Sequence, residues 1–199
     1  MVGTVESKFR TIESGVATAV LVNEHNAILA VLNHLEKAII RLEAGLEIPL
    51  AFFEEVTEFL TVFVDKCHHG KEEDILFPLL QQAGIPKEGG PIGCMLDEHI
   101  EGRNYIKEMR NGITLLKADE TQGKEMLAKG ALGYIWLLRQ HIIKENNVLF
   151  KMADMVLPAE TQAAVAQEFD RLEEEKMGKG THERFHAMID GWAVLANEW

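Results

Sequence analysis

Four histidines and two glutamates of this 199-residue chain fall in one phrase that occurs twice. Around His25 the chain reads Asn23-Glu24-His25, and 43 residues on His68-x-x-Lys71-Glu72, followed by Ile75-Leu76-Phe77. Around His99 it reads Asp97-Glu98-His99, and 42 residues on His141-x-x-Lys144-Glu145, followed by Val148-Leu149-Phe150. Core packing alone does not produce six ligand-type side chains in a duplicated pattern. A two-metal site with approximate two-fold symmetry requires one.

His68-x-x-x-Glu72 and His141-x-x-x-Glu145 each set two ligands at i and i+4, one turn apart on one helix face. His25 and His99, from partner helices, complete the two halves. Imidazole with carboxylate suits iron, manganese or zinc, whereas the lack of paired cysteines disfavours a structural zinc site or an iron–sulfur cluster. If Glu72 and Glu145 both bridge, one or two positions per metal stay open for water, oxide or a small diatomic ligand. The Leu-Phe pair after each glutamate is read as core. Leu21, Val64, Met95 and Leu137, each one turn from a ligand, are expected to form a dry apolar pocket on the connecting-turn side of the site.

The elements that carry these residues read as helices throughout, since no window sustains period-two alternation. Helix 1 is expected from Ser14 to Glu43 with Gly45 as its stop. Helix 2 opens near Pro49 and reaches Gln82, kinked or ended at Pro78, whose ring clashes with the carbonyl four residues back. Gly84 to Pro91 is a loop, helix 3 runs from Ile92 to Lys117, and helix 4 from Thr121 to Val156. Pro158 opens a fifth helix that ends near Gly178, and Thr181 caps a sixth. Short linkers make consecutive helices antiparallel. His25 then lies 20 residues before Gly45 and His68 lies 19 after Pro49. At 1.5 Å per residue each is about 30 Å from that turn, so the two face one another. His99 and His141, 22 residues before Thr121 and 20 after it, match that depth. The fold class is therefore all-α, an up-down-up-down four-helix bundle over residues 1–157, with a C-terminal helical extension, 158–199, packed on the same domain.

A chain of this length builds one substantial core. The net charge of −12 and the lack of any basic run exclude nucleic acid and anionic lipid as partners. The longest uncharged apolar stretches, Gly15 to Val22 and Ala131 to Leu138, are far below the ~20 residues that span a bilayer. Cys67 and Cys94 form no disulfide framework, so reduced thiols and a cytoplasmic location are expected. The acidic run Glu173-Glu174-Glu175 reads as a solvated face.

His25, His68-His69-Gly-Lys-Glu72-Glu73-x-x-Leu-Phe-Pro, Glu98-His99 and His141-x-x-Lys-Glu145 resemble the hemerythrin-like (HHE cation-binding) domain family from about Ala17 to Leu157. The resemblance implies a four-helix bundle around a non-haem di-iron centre, oxo- or hydroxo-bridged; manganese or zinc are the other occupants that the donor set admits. It implies His25, His68, His99 and His141 as metal ligands and Glu72 and Glu145 as bridging carboxylates. Oxygen carriers of the family have His-x-x-x-His on the third helix, where this chain has His99-x-x-x-Arg103. They also have an aspartate where this chain has Asn146. Arg103 is expected to pair with Glu72 or Glu145, or to meet a bound oxygen species. Three histidines compete to replace the missing ligand. His69 matches a ligand position in an iron-sensing relative, but its i+1 offset from His68 points it about 100° away, towards solvent or a supporting place. His182 and His186 share a face of the last helix beside the stripe Phe185, Ile189, Trp192. His34, nine residues from His25, is structural or exposed. The iron-centre-repair branch adds a cysteine-bearing N-terminal domain, for which the 16 residues before Ala17 have no room. The expected function is to bind or sense iron, dioxygen or nitric oxide. The alternative is an enzyme reducing peroxide or nitric oxide at the same open positions. A ferritin-like oxidase is disfavoured, because Glu-x-x-His occurs once, at Glu183-x-x-His186.

Overall fold

A computed structural model describes residues 15–118, 120–178 and 180–198, and every regular element among them is helical. Helix α1 is Val16–Glu43. Leu21, Ile28, Leu32, Leu35, Ile39 and Leu42 recur along it at three-, four- and seven-residue steps and are buried on one face. It stops where Gly45 takes φ +76°, a left-handed turn that a side chain would strain. By length and composition α1 would also pass as a membrane-crossing helix. Here its apolar stripe faces the bundle, and Glu24 and His25 are buried on it.

Helix α2 covers residues 50–82. It is α-helical over Leu50–Phe59 and Phe77–Gln82 but wound as a π-helix over Leu60–His68 and Lys71–Leu76. Pro78 does not end it. The N–H of Phe77 bonds to the carbonyl of Glu72, five residues back, and the α-helix resumes with the proline in its first turn, where a missing N–H is tolerated. Helix α3 is Pro91–Leu116. Helix α4 covers residues 120–156, with one π-helical stretch, Glu145–Leu149, between Glu120–Lys144 and Phe150–Val156. α3 and α4 pack most intimately. A Cβ on Gly112 would stand 2.5 Å from the backbone nitrogen of Leu127, an approach only glycine permits.

Helices α5, Ala159–Met177, and α6, Thr181–Glu198, lie against the bundle. α5 packs on α1 and on both π-helical stretches of α2, and α6 packs on α1. Phe185 and Trp192 of α6 meet the rings of Phe52, Phe59 and Phe63. Thr181 does not cap α6. Its hydroxyl donates backwards to the Met177 carbonyl, and the first turn closes on the Gly180 carbonyl instead.

The apolar interior is split in two. The larger cluster, with Leu32, Leu35, Phe53, Phe59, Val64, Met109, Tyr134 and Trp192, fills the connecting-turn half. The smaller, with Leu21, Leu76, Phe77, Ile92, Met95, Leu149, Phe150 and Phe169, fills the half beneath the 84–91 loop. A polar layer lies between them. The single pocket expected of Leu21, Val64, Met95 and Leu137 is therefore not formed. Four residues towards the N-terminus lead in opposite directions on antiparallel helices, so Leu21 and Met95 join the loop-side cluster and Val64 the other.

Candidate metal centre

The polar layer is made of His25 from α1, His68, His69 and Glu72 from α2, His99 from α3, and His141 and Glu145 from α4, all buried. Their ligand atoms form two groups, each within 4.8 Å: His25, His68, Glu72 and Glu145, and His69, His99, His141 and Glu72. His25 Nε2 is 3.0 Å from His68 Nε2, and His99 Nε2 is 3.1 Å from His141 Nε2. Each carboxylate reaches both halves. Glu72 sets Oε1 3.7 Å from His68 and Oε2 3.4 Å from His99. Glu145 sets Oε2 3.2 Å from His25 and Oε1 3.3 Å from His141. None of these four oxygens has an aligned hydrogen-bond donor.

Behind each imidazole a polar side chain takes Nδ1. His68 pairs with Glu24 at 2.7 Å and His141 with Glu98 at 2.9 Å. These two glutamates also accept from Lys71 and Lys144 respectively. His99 pairs with Glu73 at 2.7 Å and His25 with Asn146 at 2.8 Å. The residue after each carboxylate thus supports the histidine of the other half. Nδ1 acting as donor to oxygen leaves a lone pair on Nε2. Two such lone pairs facing at about 3 Å, beside carboxylate oxygens without donors, call for a cation. The residues fit a pair of metal ions.

Electrostatics of the metal-free chain agree. Burial and the neighbouring Glu145 charge push Glu72 well above the usual carboxylate range. Burial would raise Glu145 too, but His141 and His25 hold it well below. Against its own burial, His141 is raised to about 9 by Glu145 and Glu98. Burial lowers His68 to about 4 despite Glu24. Burial, then the histidines around it, lowers His69 far below the ordinary value.

His69 is not solvated. Its ring stacks on His99 at 3.8 Å and 14°, and neither ring nitrogen has a hydrogen-bond partner, with Asp65 3.5 Å from Nδ1. The 100° step assumed an α-helix. In π-helical winding there are more residues per turn, so the adjacent His68 and His69 both face inward. Arg103 meets neither bridging-type glutamate. Its Nε donates to Asp65 and its terminal nitrogen to Glu73, each at 2.7 Å, which places it behind His99. The side chains of His182 and His186 lie outside the described residues. His34 is half-buried, away from the layer. Phe77 and Phe150 do more than fill core, for they stack on His99 and His25. Sequence reasoning assigned no role to Glu24, Glu98, Lys71 and Lys144, although all four stand at equivalent places in the repeated phrase.

The sequence profile of the hemerythrin HHE cation-binding domain matches residues 16–153, which takes in every residue of this layer. The chain belongs to the hemerythrin HHE family. Among curated relatives of this HHE protein, the uncharacterized protein Rv1995 of Mycobacterium tuberculosis (strain ATCC 25618 / H37Rv) is 25% identical over 170 residues, 85% of this chain and 65% of that protein. The iron-sulfur cluster repair protein YtfE of Escherichia coli O1:K1 / APEC is 37% identical over 103 residues, 49% of this chain and 46% of that protein. The HHE chain thus spans less than two thirds of the length of either relative. No solved structure matches it.

Proposed function

We propose that this HHE protein holds two iron ions in the polar layer and serves in the cytoplasm to bind or sense iron, dioxygen or nitric oxide. One observation carries the reading: Glu72 and Glu145 each turn one oxygen to a histidine of either half, with no donor aligned on them. In this reading Glu72 and Glu145 would each help to hold both ions, His25 and His68 would hold one of them, and His99, His141 and His69 would hold the other. Manganese or zinc would fit the same donors, and similarity to an iron-sulfur cluster repair protein favours iron. A bound iron pair would supply redox chemistry and open positions for a diatomic ligand. The chain's own part is to orient imidazoles through Glu24, Glu73, Glu98 and Asn146. Its two apolar clusters exclude water above and below the layer.

Metal analysis and an optical spectrum of aerobically purified protein test this. Two irons per chain with near-ultraviolet bands are expected. One iron, or none with full loading by another metal, overturns it. Binding and turnover separate when nitric oxide or hydrogen peroxide is supplied with a reductant. A binder changes its spectrum once, and an enzyme reducing these molecules consumes them continuously.

A further inference from the structure

The Lys71–Glu24–His68 and Lys144–Glu98–His141 chains are built alike but end differently. Lys71 is 1% exposed, and its Nζ reaches past Glu24 to Glu173 Oε2 on α5 at 2.6 Å. Leu172, next to Glu173, lies over the backbone at Gly70, so α5 covers α2 between its two π-helical stretches. Lys144 has a side chain 39% exposed. Beside its partner Glu98 opens a surface pocket of about 640 Å³ at the N-terminal end of α3, lined in part by Gly90, Cys94 and Asp97. One half of the layer is backed by a helix, and the other by a part-exposed lysine beside an open surface pocket.

We propose that the two metal positions exchange at different rates and that Glu173 sets the difference. Glu173 is a positioning residue. It fixes the Lys71 ammonium, which fixes Glu24, which holds the ring of His68 with Nε2 towards the metal. Each link is a charge-assisted hydrogen bond, and the lysine in the middle of the chain is 1% exposed, so the bonds it makes are strong and directional. Loosening of His68 is the event that frees the ion beside His25. At the other position Lys144 and Glu98 can trade partners with water, so His141 loosens readily and its ion leaves first. The proposal rests on the two-metal reading above.

The test uses the full chain loaded with iron(II) under anaerobic conditions, its metal content measured before an excess of a strong iron(II) chelator is added. Wild type should release iron in two phases of equal amplitude. Glu173→Ala should speed the slow phase about tenfold, the scale on which outer partners of ligand histidines act, and leave the fast phase alone. Glu173→Gln, which keeps an acceptor but loses the charge, should fall between. Lys144→Met should speed the fast phase only, and Glu175→Ala, on the exposed face of α5, should change neither. Melting of the metal-free Glu173→Ala chain supplies a second readout. Release of both irons in a single phase by wild type overturns the proposal. So does an equal acceleration of both phases by Glu173→Ala together with a lower melting temperature, since that marks a general structural role. A wild-type chain that loads fewer than two irons removes the two-metal reading itself, before any release is measured.

Discussion

The half-site of His25 and His68 and the half-site of His99 and His141 come from the same phrase, and they diverge outside it. Within the phrase the correspondence is close: Glu24 with Glu98, Lys71 with Lys144, Glu72 with Glu145, Phe77 with Phe150. Beyond it, the first half has an amide, Asn146, behind His25, and an α5 carboxylate behind Lys71. The second has Glu73 with Arg103 behind His99, and a third imidazole, His69. Duplication thus specifies which atoms face the centre, and single departures decide how tightly and at what charge each half holds them.

The carboxylates shared by both halves carry the largest expected effect. Glu72→Ala or Glu145→Ala should lower metal content from two ions per chain to below one, because each ion loses a ligand. In the metal-free chain the two should part. Glu72→Ala should be as stable as wild type or more so, because a buried carboxylate without an aligned donor is destabilising by about 1–3 kcal/mol and that cost disappears with it. Glu145→Ala should be less stable, because it takes away the partner that raises His141. Metal analysis and thermal melting of the metal-free variants check both halves of the statement. Two irons per chain in both variants would sink the bridging assignment.

Next in size is the contrast between the two lysines. Lys71→Met strands Glu24 in a buried site and should destabilise the metal-free chain by about 3 kcal/mol, typical of breaking a buried pair. Lys144→Met removes a half-exposed partner and should change stability by less than about 1 kcal/mol. Equal shifts in urea denaturation would mean that α5 does not seal the first half.

The two halves also part in their response to pH, because His141 is raised to about 9 and His68 lowered to about 4. A group raised in the folded state stabilises fully below its unfolded value, 6.5 for histidine, and loses that contribution as pH climbs to 9. Glu72, raised from 4.5, acts with the same sign. His68 has the opposite sign, and its contribution is already complete above pH 6.5. The metal-free chain should therefore lose up to about 3 kcal/mol between pH 6.5 and 9, at about 1.4 kcal/mol per unit. Metal binding near pH 7 should release at least one proton per chain, since a coordinating imidazole must be neutral and a coordinating carboxylate ionised. Melting across that range and proton release in weak buffer measure the two effects. A metal-free chain that grows more stable towards pH 9 would refute the assignment.

Much of this centre was legible in the sequence. Helix boundaries followed from Gly45, Pro49 and Gly178, and the common depth of four histidines followed from counting residues to the turns. What stayed hidden depends on tertiary packing. His69 turns inward because α2 is π-wound on either side of it, a winding that residue spacing read as α-helix does not reveal, in stretches that pack against α5 and α3. Glu173 sits in an acidic run that reads as solvated, and the buried Lys71 that faces it lies 102 residues away in the chain. Helix spacing alone points Arg103 towards Glu72, Glu145 or a bound oxygen species, whereas Asp65 and Glu73 lie nearer the rim and hold it there.

The smallest expected effect comes from making the two halves more alike at one atom. Asn146→Asp would give His25 the kind of partner His99 already has in Glu73. A carboxylate behind Nδ1 makes the imidazole a stronger donor than an amide does, so the ion beside His25 should gain electron density. Mössbauer spectra of the iron-loaded wild type should show two doublets of equal area, because the two positions differ in imidazole number and in outer partner. With Asn146→Asp the doublets should draw closer without merging, since His69 and Arg103 still mark the second half. Metal content should stay at two, because no ligand changes. Doublets unmoved by the substitution would mean that outer partners do not set the difference, and that the third imidazole alone does.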